Sequence, residues 1–305
     1  MPQVTVRVPA STSNLGPGFD CLGVALRIYN SVTLARQRWN RERHPAIISQ
    51  AADRFFKQTR RRAFGFSCAI AGDAPRSRGL GGSATIRLGV LLGLNALSGN
   101  PLDRRMIFQL CAELEGHPDN AGPSAFGGFV VARRQSLSSI NTRSRRQARV
   151  PADLPLYRFE VSPRLAFVLL VPELEVATTQ ARKILPAKIS HASAVESCAN
   201  ACAITAAFAS GEYEKLRGAF ADRLHQPYRK RLVPFLPHVI AAAEKAGALG
   251  AFLSGSGSAI CAVTLRNGAQ IAAAMKRAAG SEAGRTIITR ADNRGAQVLD
   301  PKLKI

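Results

Sequence analysis

The sequence predicts an α+β protein in which strands open the chain and helices follow them without strict alternation. Residues 4–8 alternate valine with polar residues, as a half-buried strand does. The apolar segment 84–97 follows a glycine-rich stretch and has the length of a helix. The second half mixes predicted helices and strands, which is typical of the α+β class.

The first half contains further predicted elements in a clear order. Residues 24–28 and 31–34 predict two strands, and residues 64–70 predict another. After the helix at 84–97, a second helix is expected from 103 to 115, with Asp103 as its N-cap.

The proline-rich segment 151–163 is the predicted domain boundary, which divides the chain into domains 1–155 and 156–305. Beyond it we expect a strand at 165–171, helices near 191–209, 237–246 and 269–279, a strand pair around residues 254–258, and a strand at 286–288.

Size and composition indicate a globular protein with enough apolar residues for a packed core. The chain has 305 residues, of which 46% are hydrophobic, and this is enough for two packed domains. The opening residues lack the apolar run of a secretory signal, and the sequence contains no uninterrupted apolar run of about 18 residues. We therefore expect a cytoplasmic location and no membrane partner.

The formal net charge of +22 would attract a polyanion. Basic residues concentrate in the segments 54–62 and 133–149. The second segment has no acidic and no aromatic residue, so we interpret it as a solvated loop that lacks the stacking side chains of nucleic-acid modules. Nucleic acid is not an expected partner.

The six cysteines show neither a CxxC pair nor zinc-ligand spacing. We expect reduced, mostly buried thiols, and core packing for the pair four residues apart on one predicted helix. The six are Cys21, Cys68, Cys111, Cys198, Cys202 and Cys261.

Three segments are candidates for chemistry. "GLGGS" at 79–83 directly precedes a helix, where free N–H groups and the helix dipole favour an anion; the alternative is a tight turn with a serine cap. No lysine follows these glycines as in a Walker A loop, and the acid that a Rossmann fingerprint requires is missing.

The second candidate places five polar residues within eight positions at the end of a helix. A carboxylate there could hold Mg²⁺, and an amide or imidazole could orient a substrate; the alternative is a helix end followed by an Asx turn. The residues are Glu113, Glu115, His117, Asp119 and Asn120. The third candidate, "SGSGS" at 254–258, could be a simple hairpin turn.

Taken in order, these segments resemble the GHMP kinases. The resemblance rests on "VPASTSNLGPGFDCLGVAL", "EGHPDNAGPSAFGGFVV", "VPELEVATTQARKILP" and "GALGAFLSGSGSAICAV", which span nearly the whole chain. It implies the GHMP kinase fold, with a left-handed βαβ crossover in the N-terminal domain and a ferredoxin-like C-terminal domain. It also implies a homodimer.

The resemblance further implies a reaction, the transfer of the γ-phosphoryl group of ATP to the side-chain hydroxyl of L-homoserine. It also implies a Mg²⁺ ion. It assigns Ser83 and Glu115 to the metal, with Glu113 as the alternative carboxylate. Nucleotide contacts fall on Arg78, Gly79, Leu80, Gly81, Gly82, Ser83, Ala84 and Ser256. Catalytic positions fall on Asn14, Asp20 and Asn120, and substrate contacts on Asn14, Asp20, His117, Asp119, Arg182 and Arg229.

This sequence departs from the family pattern at several positions. Gly82 stands where a serine is common, residues 255–258 replace a Gly-Ala-Gly-Pro type of turn, and Arg87 places a charge where small apolar residues are usual. Two other functions therefore stay open: a GHMP kinase for another alcohol, such as mevalonate or shikimate, or a non-catalytic member that binds a metabolite or polyanion. We expect Asp20 mainly to bind the substrate ammonium.

Overall fold

Two antiparallel β-sheets form the framework of the protein, as seen in a computed structural model. The structure describes residues 2–38, 44–75, 77–133, 155–282 and 284–299. The predicted basic loop at 133–149 lies outside these residues except for Arg133. The α+β prediction is confirmed.

The first sheet has the strand order β10-β1-β2-β4-β5, and β3 pairs with β2. All the strand pairs in it are antiparallel. Its strands are β1 (Gln3–Ser13), β2 (Leu22–Gln37), β3 (Gly65–Gly72), β4 (Phe129–Ala132), β5 (Leu156–Phe159) and β10 (Gln297–Leu299).

The two strands predicted at 24–28 and 31–34 are one continuous strand, β2, so that prediction was wrong. The ladder with β1 continues through Tyr29 and Asn30, which pair with Pro9 and Val8. Asn30 is polar, but its buried side chain donates a hydrogen bond to Thr85 (2.8 Å). A satisfied polar group costs the strand little.

Four helices share a hydrophobic core with the first sheet. They are α1 (Ala46–Thr59), α2 (Gly82–Leu97), α3 (Arg104–Glu115) and α4 (Ala121–Phe126). Helices α2 and α4 contact the strands of this sheet, while α1 and α3 pack on α2. The predicted helices at 84–97 and 103–115 are confirmed, and Asp103 caps α3 by accepting a hydrogen bond from the Met106 N–H (2.7 Å). Helix α1 was not predicted; its buried residues Ile48, Ala51, Ala52 and Phe55 recur at helical spacing.

The second sheet has the strand order β7-β8-β6-β9. Its strands are β6 (Ala166–Val171), β7 (Gly250–Leu253), β8 (Ile260–Thr264) and β9 (Arg285–Arg290). The helices that accompany it are α5 (Thr178–Lys183), α6 (His191–Ser210), α7 (Gln226–Arg229), α8 (Leu236–Lys245) and α9 (Gly268–Ala279). Helices separate the first strand from the second and the third from the fourth, which is the ferredoxin-like arrangement.

The predicted division at 155/156 stays a prediction. Strands β5 and β10 both follow that point in the chain, yet β5 pairs with β4 and β10 pairs with β1 in the first sheet. Sheet membership therefore does not change at this position. The left hand of the βαβ crossover also stays a prediction.

A shared core lies between the two sheets, and α6 contributes to it. The ring of Phe208 on α6 stacks on Phe129 of β4, with centroids 4.2 Å apart. By length and mean hydropathy (1.2), α6 could cross a membrane, and 22% of that window is buried. Its packing through Ile204, Ala207 and Phe208 makes it part of the folded domain.

The expectation of buried cysteines holds only in part. All six thiols are free, and Cys111 and Cys261 are buried. Cys198 and Cys202, however, are exposed, so the prediction of core packing for this pair was wrong. Helix α6 buries its other side, because the bulkier residues that fill the core between the sheets lie there.

We expect Phe208→Ala to lower the free energy of unfolding by about 3–5 kcal/mol, because it removes a fully packed ring from the core between the sheets. Urea unfolding followed by circular dichroism measures this. Val195→Ala is the matched control on the same helix, since Val195 is 53% exposed, and it should change stability by less than about 0.5 kcal/mol. Equal effects of the two substitutions would contradict the assignment of Phe208 to the core.

Candidate active site

One cavity of about 610 Å³ brings the three candidate segments together. It lies among the turn after β1, the loop before α2, the loop after α3, the start of α5 and the turn between β7 and β8. The predicted residues that line it are Asn14, Asp20, Arg78, Gly79, Leu80, Gly81, Gly82, Ser83, Glu115, His117, Asp119, Asn120, Arg182, Arg229 and Ser256. Ala84, also predicted, is fully buried in the helical core beneath the loop and does not line the cavity.

The glycine loop is shaped by close backbone contacts. Gly81 is the N-cap of α2 at φ 66° and has no side chain to cap the helix. A Cβ at Gly81 would lie 2.3 Å from Ser11 Oγ, and one at Gly79 would lie 2.0 Å from the Ser254 carbonyl oxygen. The first N–H groups of a helix lack helical acceptors, so the start of α2 offers donors to an anion.

Ser83 and Glu115 lie together beside this helix start. Ser83 Oγ donates a hydrogen bond to Glu115 Oε2 (2.7 Å), and the Arg87 guanidinium pairs with the other carboxylate oxygen. A hydroxyl and a carboxylate are oxygen ligands of the kind that Mg²⁺ prefers. These two residues therefore fit the metal that the sequence predicts.

The alternative carboxylate, Glu113, lies elsewhere. It makes an ion pair with Arg54 of α1 (2.9 Å), its side chain is 51% exposed, and it does not line the cavity. Residues 113 and 115 are two apart on α3 and so point away from each other. The structure excludes Glu113 from this site.

The turn after β1 begins at Asn14, because residues 9–13 still belong to the strand. Asn14 has a left-handed backbone (φ 70°), which asparagine tolerates better than most residues. Its Oδ1 accepts from the Asp20 N–H (3.0 Å), and its Nδ2 donates to the Gly255 carbonyl (2.9 Å). Asn14 therefore joins the two ends of the turn and ties it to the second sheet.

Asp20 and Arg182 form a bidentate ion pair across the cavity. Arg182 Nη1 and Nη2 donate to the two Asp20 oxygens at 3.0 and 2.6 Å. The side chains are 18% and 35% exposed, so both charges remain accessible from the cavity. The hydrogen bond to Asp20 raises the pKa of Arg182.

His117 and Asp119 form a second close pair, with Nδ1 and Oδ1 2.5 Å apart. Burial disfavours the charged ring, but the hydrogen bond and charge of Asp119 outweigh it and raise the pKa of His117. Burial likewise opposes ionisation of Asp119, yet His117 lowers the pKa of that carboxyl. Together with Asp20, these groups could also reach one cation, although the imidazole suits Mg²⁺ less well than oxygen ligands do.

Asn120 is held by the strand beneath it. Its Oδ1 accepts from Ser11 Oγ (2.9 Å), and its Nδ2 donates to Ser13 Oγ (3.0 Å). Because both ends of the amide are engaged and the residue is 7% exposed, Asn120 fixes the loop after α3 against β1.

Arg229 is buried at the same end of the cavity as Arg182. Its guanidinium donates to the Ala181 and Gly255 carbonyls (3.1 and 2.9 Å) and to His225 Nδ1 (3.2 Å). Burial and the charge of Arg182 lower the pKa of Arg229 to about 10, so it stays charged at neutral pH.

His225 and Phe19 were not predicted as site residues. His225 Nε2 donates to the Gly16 carbonyl (2.8 Å), which leaves Nδ1 as the acceptor for Arg229 and makes the ring neutral. The guanidinium groups of Arg182 and Arg229 both lie over the ring of Phe19. Their Cζ atoms are 5.4 Å and 5.1 Å from the ring centroid, respectively. The position of His225 one helical turn before Arg229 was the available signal.

Further lining residues were also missed. The sequence offered a signal for most of them, because they lie within or close to segments that the sequence analysis singled out, whereas Ile47 belongs to the unpredicted helix α1. They include Ile47, Ile86, Arg87, Leu114, Thr178 and Thr179.

His225 provides a pH prediction. Burial lowers its pKa to about 4, so the folded protein keeps it neutral while the unfolded chain takes up a proton near pH 6.5. The contribution of His225 to the free energy of unfolding is therefore fully present above pH 6.5, and it is lost as the pH falls towards 4. Between pH 7.5 and 4.5 we expect wild type to lose about 2–3 kcal/mol that His225→Gln does not lose.

Urea unfolding at several pH values measures this difference. His238→Gln is the control, because His238 is exposed, and it should follow the wild-type curve. The assignment of a neutral, buried His225 is wrong if the His225→Gln curve also runs parallel to wild type.

Comparison with known proteins identifies the family of this chain. The family model "GHMP kinases N terminal domain" matches residues 46–128, and "GHMP kinases C terminal" matches residues 204–282. The homoserine kinase of Trichormus variabilis is 35% identical over 96% of this chain and 98% of its own length. That of Caldicellulosiruptor bescii is 34% identical over 87% of this chain and 85% of its own length.

Among solved structures, the crystal structure of homoserine kinase from Cytophaga hutchinsonii superposes with a TM-score of 0.83 and 25% identity, and it covers 98% of both chains. The two sheets and the helices that cover them are therefore the GHMP kinase fold. Sequence identity along nearly the full length and both family models lead to one conclusion: this chain belongs to the GHMP kinase family, in its homoserine kinase branch.

Proposed function

We propose that this protein catalyses the transfer of the γ-phosphoryl group of ATP to the side-chain hydroxyl of L-homoserine, which yields O-phospho-L-homoserine. The observation that carries the proposal is that a glycine loop at a helix start and the Asp20–Arg182 pair line one cavity. The first is suited to a polyphosphate, and the second is suited to an amino acid. Membership in the homoserine kinase branch supports the same reaction.

An α-amino acid brings an ammonium and a carboxylate, so its site needs one group of each sign. Asp20 can accept the ammonium, and the planar fork of Arg182 can bind the carboxylate. In the free protein these two residues pair with each other. A bound zwitterion would replace each partner by a group of the same sign, so no charge would be left unpaired at the cavity wall.

The other charged groups support this arrangement. The buried Arg229 adds a second cation at the carboxylate end, and Asp119 adds a second anion near the ammonium. Mevalonate and shikimate carry a carboxylate but no ammonium. If mevalonate or shikimate were bound, no substrate ammonium would face Asp20 and Asp119. This missing cation disfavours both compounds as substrates.

The nucleotide is assigned to the opposite part of the cavity. The N–H groups at the start of α2 would bind the phosphates, and the apolar Ile47, Ile86 and Leu114 would pack against the base. Ser83 and Glu115 are proposed to hold Mg²⁺, which when bound neutralises phosphate charge.

Phosphoryl transfer depends on positioning and charge neutralisation more than on covalent assistance. Asn14 holds the substrate turn, and Asn120 holds the loop that carries His117 and Asp119. In the complex, the Asp20 carboxylate is proposed to accept hydrogen bonds from the substrate ammonium, so Asp20 is proposed to bind substrate and not to act as a base. The hydroxyl proton can then pass directly to an oxygen of the transferred phosphoryl group.

A cytoplasmic location and a homodimer are also part of this proposal, and family membership supports them. A non-catalytic role as a metabolite-binding member is less well supported, because Ser83 and Glu115 lie together beside the glycine loop as a kinase requires.

The reaction is tested with a coupled assay of ADP release in the presence of Mg²⁺ and homoserine, mevalonate or shikimate. We expect turnover with homoserine and at least about 100-fold lower kcat/KM with the other two, because two charge-assisted contacts are lost. Turnover of none of the three would exclude a kinase for these alcohols. Preference for mevalonate or shikimate would exclude the amino-acid substrate.

For Asp20→Asn we expect KM for homoserine to rise by about 10-fold or more, with kcat within about threefold of wild type, because the ammonium loses a charged partner. Steady-state kinetics at saturating ATP measures both. Glu212→Gln, which breaks a surface pair with Lys215, is the control and should change neither. An unchanged KM with a collapsed kcat would instead assign Asp20 the role of a catalytic base.

A further inference from the structure

Arg87 is a charged residue in the cavity wall whose role the proposed function does not explain. It lies four residues after Ser83 on α2, so both side chains project from the same face of the helix. Ser83 donates to Oε2 of Glu115, and Arg87 donates to Oε1. Each oxygen of the proposed metal ligand therefore already has a donor.

The pair is shielded from solvent. The side chain of Glu115 is 6% exposed and that of Arg87 is 15% exposed. Of the remaining guanidinium donors, Nη2 reaches Gln50 only at 3.4 Å, and Nε is buried without a partner among the residues that the structure describes. Arg87 thus has unused donor capacity while it lines the cavity.

The position of this charge affects any cation that approaches Glu115. A guanidinium on the same carboxylate neutralises its charge and repels a divalent ion, and the low exposure of both side chains weakens the screening of this repulsion by solvent. A polyphosphate has the opposite effect, because guanidinium groups bind phosphate oxygens with paired hydrogen bonds. Glu115 and a nucleotide therefore compete for Arg87.

We propose that Arg87 is a positioning residue that exchanges partners when the nucleotide binds. In the free protein it pairs with Glu115 and keeps the affinity for the metal low. With ATP present its guanidinium turns to the phosphates, and Glu115 is released for Mg²⁺. This inference rests on the proposed function, because it takes Ser83 and Glu115 as the metal residues.

The test measures metal and nucleotide binding separately, without turnover. Mn²⁺, which electron paramagnetic resonance detects directly, is titrated into the nucleotide-free protein. Arg87→Met removes the charge while it keeps an unbranched apolar stem. We expect it to bind Mn²⁺ at least about 10-fold more tightly than wild type.

The second readout is ATP affinity in EDTA by calorimetry. Without metal, Arg87→Met should bind ATP about 10-fold more weakly, since one charge-assisted contact to the phosphates is lost. Arg54→Met is the matched control, because Arg54 forms the equivalent pair with Glu113 away from the cavity. It should change neither affinity.

The outcomes are distinct. If Arg87→Met leaves Mn²⁺ affinity unchanged or weaker, the exchange of partners is wrong, and unchanged metal-free ATP affinity would exclude the phosphate contact. Thermal unfolding shows whether the variant is folded; if it is not, Arg87→Gln, which removes the charge but keeps an amide donor, takes its place with the same expectations.

The same wild-type preparation is assayed for homoserine phosphorylation. Turnover together with unchanged metal affinity in the variant would defeat this inference and leave the proposed function intact. Absence of turnover would defeat the proposed function, while the Mn²⁺ titration would still decide whether Arg87 controls access to Glu115.

Discussion

The close contacts among three loops are the constraint on which the cavity depends. Ser254 Oγ donates to the Gly79 carbonyl (2.7 Å), and the Gly255 N–H donates to the Ser13 carbonyl (3.1 Å). These contacts hold the glycine loop and the substrate turn of the first sheet against the hairpin of the second. No side chain fits at Gly79, where a Cβ would lie 2.0 Å from the Ser254 oxygen. Both halves of the proposed site therefore depend on the same close approach.

Opposite charges then organise the cavity locally, although the chain as a whole is strongly basic. Asp20 pairs with Arg182, and Glu115 pairs with Arg87, so each of these carboxylates in the wall has an arginine partner. Breaking such a shielded pair leaves one charge uncompensated, which is costly. A ligand that carries both charges can replace the partners without this cost, and this is the physical reason for favouring an amino acid. The overall charge of +22 plays no part in that argument.

The sequence predicted the local features well because their causes are local. The cap of α3 at Asp103 depends on an N–H group three residues away, and glycines with positive φ mark the loop before α2 and the turn at 254–258 in the sequence. Predictions were wrong where a distant contact decided the outcome. Asn30 continues β2 because Thr85 satisfies its amide, and the exposed thiols of α6 face away from the core because larger side chains fill it.

What the sequence by itself determined is the list of groups: a phosphate-binding loop, carboxylates after a helix, and arginines suited to a carboxylate. Only the tertiary structure decided which of them meet. It paired Glu115 with Ser83 and Arg87, paired Glu113 with Arg54, and brought Arg182 against Asp20. These are contacts between residues far apart in the chain. Their distances follow from how the sheets and helices pack, which residue type and spacing do not specify.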